Sequence, residues 1–166
     1  MTAVRPYRDG DAGALAAVFE RAVRAIAGRD YSPAQIEAWI GAEPREARFR
    51  EKMADGRRCW VAVDEAGRVT AFVDLEANGH IDFLFADPAV AGRGVTTALL
   101  DVLEQAARDD GLSRLHVEAS EPARRFFLKR GYSVVRRRDF DIGGVPIHNY
   151  AMERRLQGNA GPTSEP

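Results

Sequence analysis

The chain has a single cysteine, Cys59, among 166 residues, which excludes an internal disulfide. No apolar run approaches the length of a bilayer-spanning helix, and the opening "MTAVRPYRDGD" has no signal-peptide core. The sequence therefore reads as that of a soluble, cytoplasmic protein. Charge of one sign is also missing: 24 Lys and Arg against 25 Asp and Glu leave a formal net charge of −1. That removes any bulk electrostatic case for nucleic acid or a membrane surface as partner. The one basic run, "RRR" at Arg136–Arg138, alternates faces when read as a strand and has no aromatics interleaved for base stacking. It is better explained as a solvated edge strand whose charge discourages sheet-to-sheet aggregation. No metal is expected.

What is present is ordinary globular material, 45% hydrophobic and 30% charged, enough for a sizeable core. One domain is expected over residues 1–157, followed by a polar, Gly- and Pro-containing tail, 158–166, expected to be disordered. "TAVRPY" is a short strand candidate, with Asp9–Asp11 as a turn and helix cap. Leu15, Val18, Phe19, Ala22, Val23 and Ile26 then recur at helical spacing, predicting a helix to about Gly28. "SPAQIEAWI" starts a second helix, capped by Ser32 with Pro33 in its first position. "EPREARFREKMADG" predicts a third, ending at Gly56. From Arg57 to Pro88 the period changes to two, with breaks at Glu65–Gly67 and Asn78–Gly79, which predicts a three-stranded antiparallel meander.

A helix after Gly94 carries Leu99, Leu100, Val102, Leu103 and Ala106 and stops at Gly111. "RLHVEA" reads as a strand, "EPARRFFLKRGY" as a short helix stopped by Gly131, and the rest as a hairpin around Gly143–Gly144. The order describes an α+β fold: a mixed, mostly antiparallel sheet of about seven strands flanked by helices, with one parallel crossover through the central helix. The strand "FLFADP" running into "AGRGVTTALL" is a natural anion cradle, because the free N–H groups and the dipole of a helix N-terminus both favour negative charge.

This order, with "FLFADPAVAGRGVTTALL" and the later "FFLKRGY", resembles the GCN5-related N-acetyltransferase (GNAT) family from Val4 to about Leu156. "DYSPAQIEAW" and "GHIDFLFADP" are similar to its bacterial YafP-like subgroup. The resemblance implies transfer of an acetyl group from acetyl-CoA, as cosubstrate, to a small-molecule amine, and it allows a homodimer. The family's pyrophosphate loop, Gln/Arg-x-x-Gly-x-Gly/Ala, falls on Ala91-Gly92-Arg93-Gly94-Val95-Thr96. Ala91 and Thr96 depart from the pattern, whereas Gly94 and the following Thr97 match. Backbone N–H groups from Arg93 to Thr97 would hold the pyrophosphate whatever the side chains. Leu84, Phe85 and Ala86 match the strand along which the family lays the pantetheine arm, with a backbone N–H near Ala86 polarising the thioester carbonyl. Ser120 and Phe127 complete the cofactor-side set. Phe127 stands where many members carry a tyrosine acid, so that acid is absent. Thiolate leaves tolerably near neutrality, a thiol's pKa being about 8.5, and water could protonate it.

For the base, His80 stands six residues before Ala86, which resembles the glutamate base position of the histone-acetylating members. Strand alternation would place His80, Asp82 and Leu84 on one face, letting Asp82 orient an imidazole that titrates near neutrality. Equally, His80 ends a turn and Asp82 satisfies nearby backbone. Glu76, Glu118, His148 and Tyr150 are more readily hydrogen-bonded strand residues than catalysts. Tyr31, Trp39 and Phe49 could line an acceptor pocket, although Trp39 shares its helical face with Ile36 and Ile40 and reads as core. The departures at Ala91, Thr96 and Phe127 also fit a CoA-binding module without chemistry. No groove for a protein N-terminus or lysine is legible.

Overall fold

A computed structural model of the chain describes residues 2–25, 27–41 and 45–157; Ile26, the start of the expected third helix at Glu43–Pro44 and the tail 158–166 lie outside them. Strand β1 (Ala3–Pro6) leads into helix α1 (Ala12–Ala25), which buries Leu15, Val18, Phe19, Ala22 and Val23 as the periodicity requires. Helix α2 (Pro33–Ile40) begins at a capping box: Ser32 Oγ accepts from the Gln35 N–H at 3.2 Å, and Gln35 Oε1 accepts from the Ser32 N–H at 2.9 Å. Helix α3 (Arg45–Met53) follows and stops three residues before Gly56.

Strands β2 (Arg58–Val63), β3 (Val69–Leu75), β4 (His80–Ile81) and β5 (Leu84–Ala86) come next, then helix α4 (Val95–Asp109), strand β6 (Arg114–Ala119) and helix α5 (Glu121–Lys129). The chain closes with β7 (Ser133–Ile142) and β8 (Val145–Arg155), joined by Gly143 and Gly144 at φ 56° and 84°. Left-handed conformations at both turn positions are what a tight hairpin demands, and glycine adopts them without steric cost.

The strands form two four-stranded sheets, β1-β2-β3-β5 and β4-β6-β8-β7. The α+β architecture is as expected, but the described residues form eight strands in two sheets where one sheet of about seven strands was expected. The segment expected as the meander's last strand is divided: β5 pairs antiparallel with β3, while β4 pairs parallel with β6. Alternation along the strands builds a core on each side. Ala71 and Val73 pack with Leu99, Leu100 and Leu103 of α4, whereas Phe72 faces Phe19 of α1 and Phe49 of α3.

Candidate active site

The division of the strand has a local cause. Gly79 C=O accepts from the His116 N–H at 3.1 Å, so odd-numbered residues of β4 turn toward β6. In β5 the parity is opposite. Phe83 C=O accepts from the Asp74 N–H at 3.2 Å, and the Asp87 N–H donates to Thr70 C=O at 2.7 Å, so odd-numbered residues turn toward β3. The switch falls at Asp82 and Phe83, whose N–H groups both donate to Asp74 Oδ1, at 3.0 and 2.7 Å. This is a β-bulge, in which one extra residue turns the rest of the strand around. Beyond it the Leu84 and Ala86 backbones face away from β3, and the parallel pairing with β6 has ended at Ile81 and Val117.

Asp74 is fully buried, and Arg57, itself nearly buried, donates to its Oδ2 at 2.6 Å. Burial pushes the Asp74 carboxyl up to about 6, so it is ionised at neutrality. The same guanidinium reaches Asp82 Oδ2 at 2.9 Å, and Lys52 Nζ lies 3.2 Å from that oxygen. Asp82 is therefore committed to Arg57 and Lys52 and does not orient His80. The expectation of a shared face assumed unbroken alternation, which the bulge interrupts two residues after His80.

His80 stands between two other carboxylates. Its Nε2 lies 2.5 Å from Glu118 Oε2 and its Nδ1 3.1 Å from Glu76 Oε1. Ionised carboxylates only accept, so both ring nitrogens donate and the ring is an imidazolium. The bond to Glu118 is the main cause that raises the His80 pKa to about 9, rather than the near-neutral value expected of a poised base. The same bond holds Glu118 below the usual carboxylate range. His116 stacks on His80 at 5.1 Å between centroids, and burial lowers its pKa.

Where β5 and β6 part, a cleft of about 410 Å³ opens, lined by Leu84 and Phe85 on one strand, Val117 to Ala119 on the other and Ser120 just beyond it. Phe127 also lines it. That ring is wholly buried, 4.8 Å from Tyr132, and the Tyr132 hydroxyl is buried in the core. Ser120 caps α5, its Oγ accepting from the Ala123 N–H at 3.4 Å. On the far side the cleft is walled by Phe19, Trp39, Phe49 and Phe140. Trp39, read as core, is half-buried and faces this space; Tyr31 is buried and also lines it.

A second hydrogen-bonded group fixes the outer wall. Glu121 Oε1 accepts from Tyr150 Oη at 2.7 Å and sits 2.7 Å from His148 Nε2. Tyr31 Oη accepts from the Glu121 N–H at 3.0 Å and donates to His148 C=O at 3.2 Å. Neither this group nor the Arg57–Asp74 pair was found from sequence. The available signal for the latter was a carboxylate in the apolar run "VTAFVDL".

Beyond Ala86, a short 3-10 turn at Pro88–Val90 leads to Gly92 and Gly94, both left-handed with φ 76° and 75°. A Cβ on either would meet no atom of the chain within 4 Å, so within the chain it is the left-handed φ that calls for glycine at both positions. Gly94 is the N-cap of α4, and the N–H groups of Val95, Thr96 and Thr97 lie in its unsatisfied first turn. The Arg93 N–H is not part of that set, because it donates to Val90 C=O at 3.2 Å. The Arg93 side chain is exposed beside the loop, while Val95 is buried in the core. The donors and the parted strands fit an extended thioester carrying a pyrophosphate.

A family model described as an acetyltransferase (GNAT) domain matches residues 27–154. The N-acetyltransferase YafP of Escherichia coli is 37% identical over 154 residues, 93% of this chain and 96% of that protein. A solved GCN5-related N-acetyltransferase from Rhodopseudomonas palustris superposes with a TM-score of 0.86 at 36% identity, covering 94% of this chain and 96% of that one. The PaiA N-acetyltransferase of Thermoplasma acidophilum, solved with coenzyme A, shares the fold at a TM-score of 0.72 and 20% identity, covering 94% of this chain and 99% of that one. A cleft between parted parallel strands is thus found on a chain matched along most of its length by acetyltransferases, and the chain belongs to the GNAT family of acetyl-CoA-dependent N-acetyltransferases.

Proposed function

We propose that the chain acetylates a small-molecule amine by direct attack within a ternary complex. The observation that carries this reading is the cleft itself, which joins the gap between β5 and β6 to an aromatic chamber roofed by α1–α3 and the β7–β8 hairpin. The Val95–Thr97 N–H groups, with Arg93, hold the pyrophosphate. The Leu84 and Ala86 backbone groups, turned into the gap by the bulge, pair with the pantetheine arm, and the Ala86 N–H donates to the thioester carbonyl.

Glu118 meets the acceptor's ammonium from the cleft, and the Glu118–His80 pair receives its proton once His80 is neutral. The amine nitrogen then bonds to the carbonyl carbon as the C–S bond breaks, and the proton still in excess on that nitrogen passes to water as the neutral amide forms. Phe127 has no proton for the departing sulfur, which takes one from water. Only this last step depends on the side chain at position 127, so the phenylalanine there is compatible with turnover.

Calorimetric titration with acetyl-CoA, followed by a thiol-release assay over a panel of small amines, tests the reading. Micromolar binding and turnover of one class of amine are expected. Absence of acetyl-CoA binding, or silence across the panel with acetylation of peptide lysines instead, would overturn it.

A further inference from the structure

The charges lining the cleft are not balanced among themselves. Arg45 is paired with Glu20 at 2.6 Å and Lys52 with Asp82 at 3.2 Å. Arg138 differs. Its guanidinium donates to the neutral Asn149 Oδ1 at 3.2 Å and lies 5.6 Å from the Phe140 ring centroid. Among the described residues, no carboxylate lies within ion-pair distance of it. It is half-buried on β7, an edge strand, yet it lines the same cleft as Glu118. The two are close enough for the Arg138 charge to help hold the Glu118 carboxyl down, but they do not bond to each other.

An unmatched cation and a carboxylate that face one cavity without meeting leave room for a molecule carrying the complementary pair. The adjoining surface is apolar, formed by the rings of Phe85, Trp39 and Phe140. We infer that the acceptor is a zwitterion with an apolar body: its ammonium on Glu118, its carboxylate on Arg138, and its hydrocarbon against the aromatic wall. An aromatic α-amino acid is the simplest such molecule. A guanidinium suits this task because its planar fork can take both oxygens of a carboxylate, which a lysine cannot do. The inference rests on the acetyl-transfer reading and narrows its acceptor.

The test compares L-phenylalanine, L-phenylalaninamide and phenethylamine as acceptors for the wild-type protein, Arg138→Gln, Arg138→Lys and the outward-facing control Arg137→Gln. Wild-type kcat/KM should favour phenylalanine over phenethylamine by roughly tenfold or more, as expected for a charge-assisted pair. Arg138→Gln should abolish that preference through KM, Arg138→Lys should restore part of it, and Arg137→Gln should keep it. Calorimetry of L-phenylalanine on the CoA-loaded protein supplies a readout without turnover, and Arg138→Gln should weaken that binding by a similar factor. Equal use of phenethylamine and phenylalanine, or equal losses for both in Arg138→Gln, would overturn the zwitterion while leaving acetyl transfer intact. Arg138-dependent binding without turnover would instead uphold the acceptor class and sink the catalytic reading.

Discussion

His80 donates from both ring nitrogens, to Glu118 and to Glu76, so it stays charged until the pH nears its raised value of about 9. A charged imidazole cannot accept a proton, and the neutral form grows tenfold per pH unit below that value. If the pair takes the acceptor's proton, kcat/KM should rise with pH and level off near 9. His80→Gln should lower kcat/KM by roughly 10²-fold and remove that inflection. A profile unchanged in His80→Gln would show that the proton leaves by another route. The cause of the shift can be tested apart from catalysis. Because Glu118 contributes most to it, Glu118→Gln should move the His80 ring titration, followed by NMR, downward toward the ordinary imidazole value. A residual elevation is expected from Glu76, which remains on the other nitrogen.

At the scale of elements, the bulge between β4 and β5 depends on a carboxylate from the neighbouring strand. Asp74→Ala leaves two backbone N–H groups without their acceptor and the buried Arg57 with less opposing charge. Breaking one side of a buried pair costs about 3–5 kcal/mol, so a large fall in Tm is expected. Asp74→Asn keeps an acceptor at Oδ1 for both N–H groups, so the bulge and the acetyl-CoA Kd should be retained, while Tm still falls because the amide NH2 replaces the oxygen that meets Arg57. A folded Asp74→Asn protein that has lost acetyl-CoA affinity would show that the charge on Asp74, and not the bulge, supports cofactor binding. The bulge also explains where sequence reading stops. Helices α1, α2 and α4 were legible because their apolar spacing and caps are local, and the β7–β8 hairpin because two glycines mark its turn. The loop at Gly94 was legible as a helix start for the same reason. The parity switch was not, since it is imposed on Asp82 and Phe83 by a residue eight or nine positions away on another strand. That single insertion moved Asp82 out of the proposed dyad and left Glu118 as the partner of His80. Arg138 was misplaced by a related simplification: one member of a charge run on an edge strand faces the cleft, and alternation alone does not say which.

Across the whole molecule, the His80 ion chain spans the junction of the two sheets. Glu76 follows β3 in the first sheet, His80 lies on β4, and Glu118 lies on β6 in the second. Its contribution to stability must therefore vary with pH, and the sign follows from linkage. The folded protein holds the His80 proton more tightly than the unfolded chain does, since the pKa rises from 6.5 to about 9. The stabilisation is fully present below 6.5 and is lost as pH climbs through 9. Asp74, raised from 3.8 to about 6, acts in a lower window, where rising pH also removes stability, so the two effects are separable. Thermal unfolding from pH 6 to 10 should show Tm falling most steeply between 7 and 9. His80→Gln should begin lower at pH 6 and converge on the wild-type curve by pH 10, because only the protonated ring joins the two carboxylates. If the two curves instead run parallel across that range, the ion chain does not hold the sheets together and the difference at low pH comes from packing.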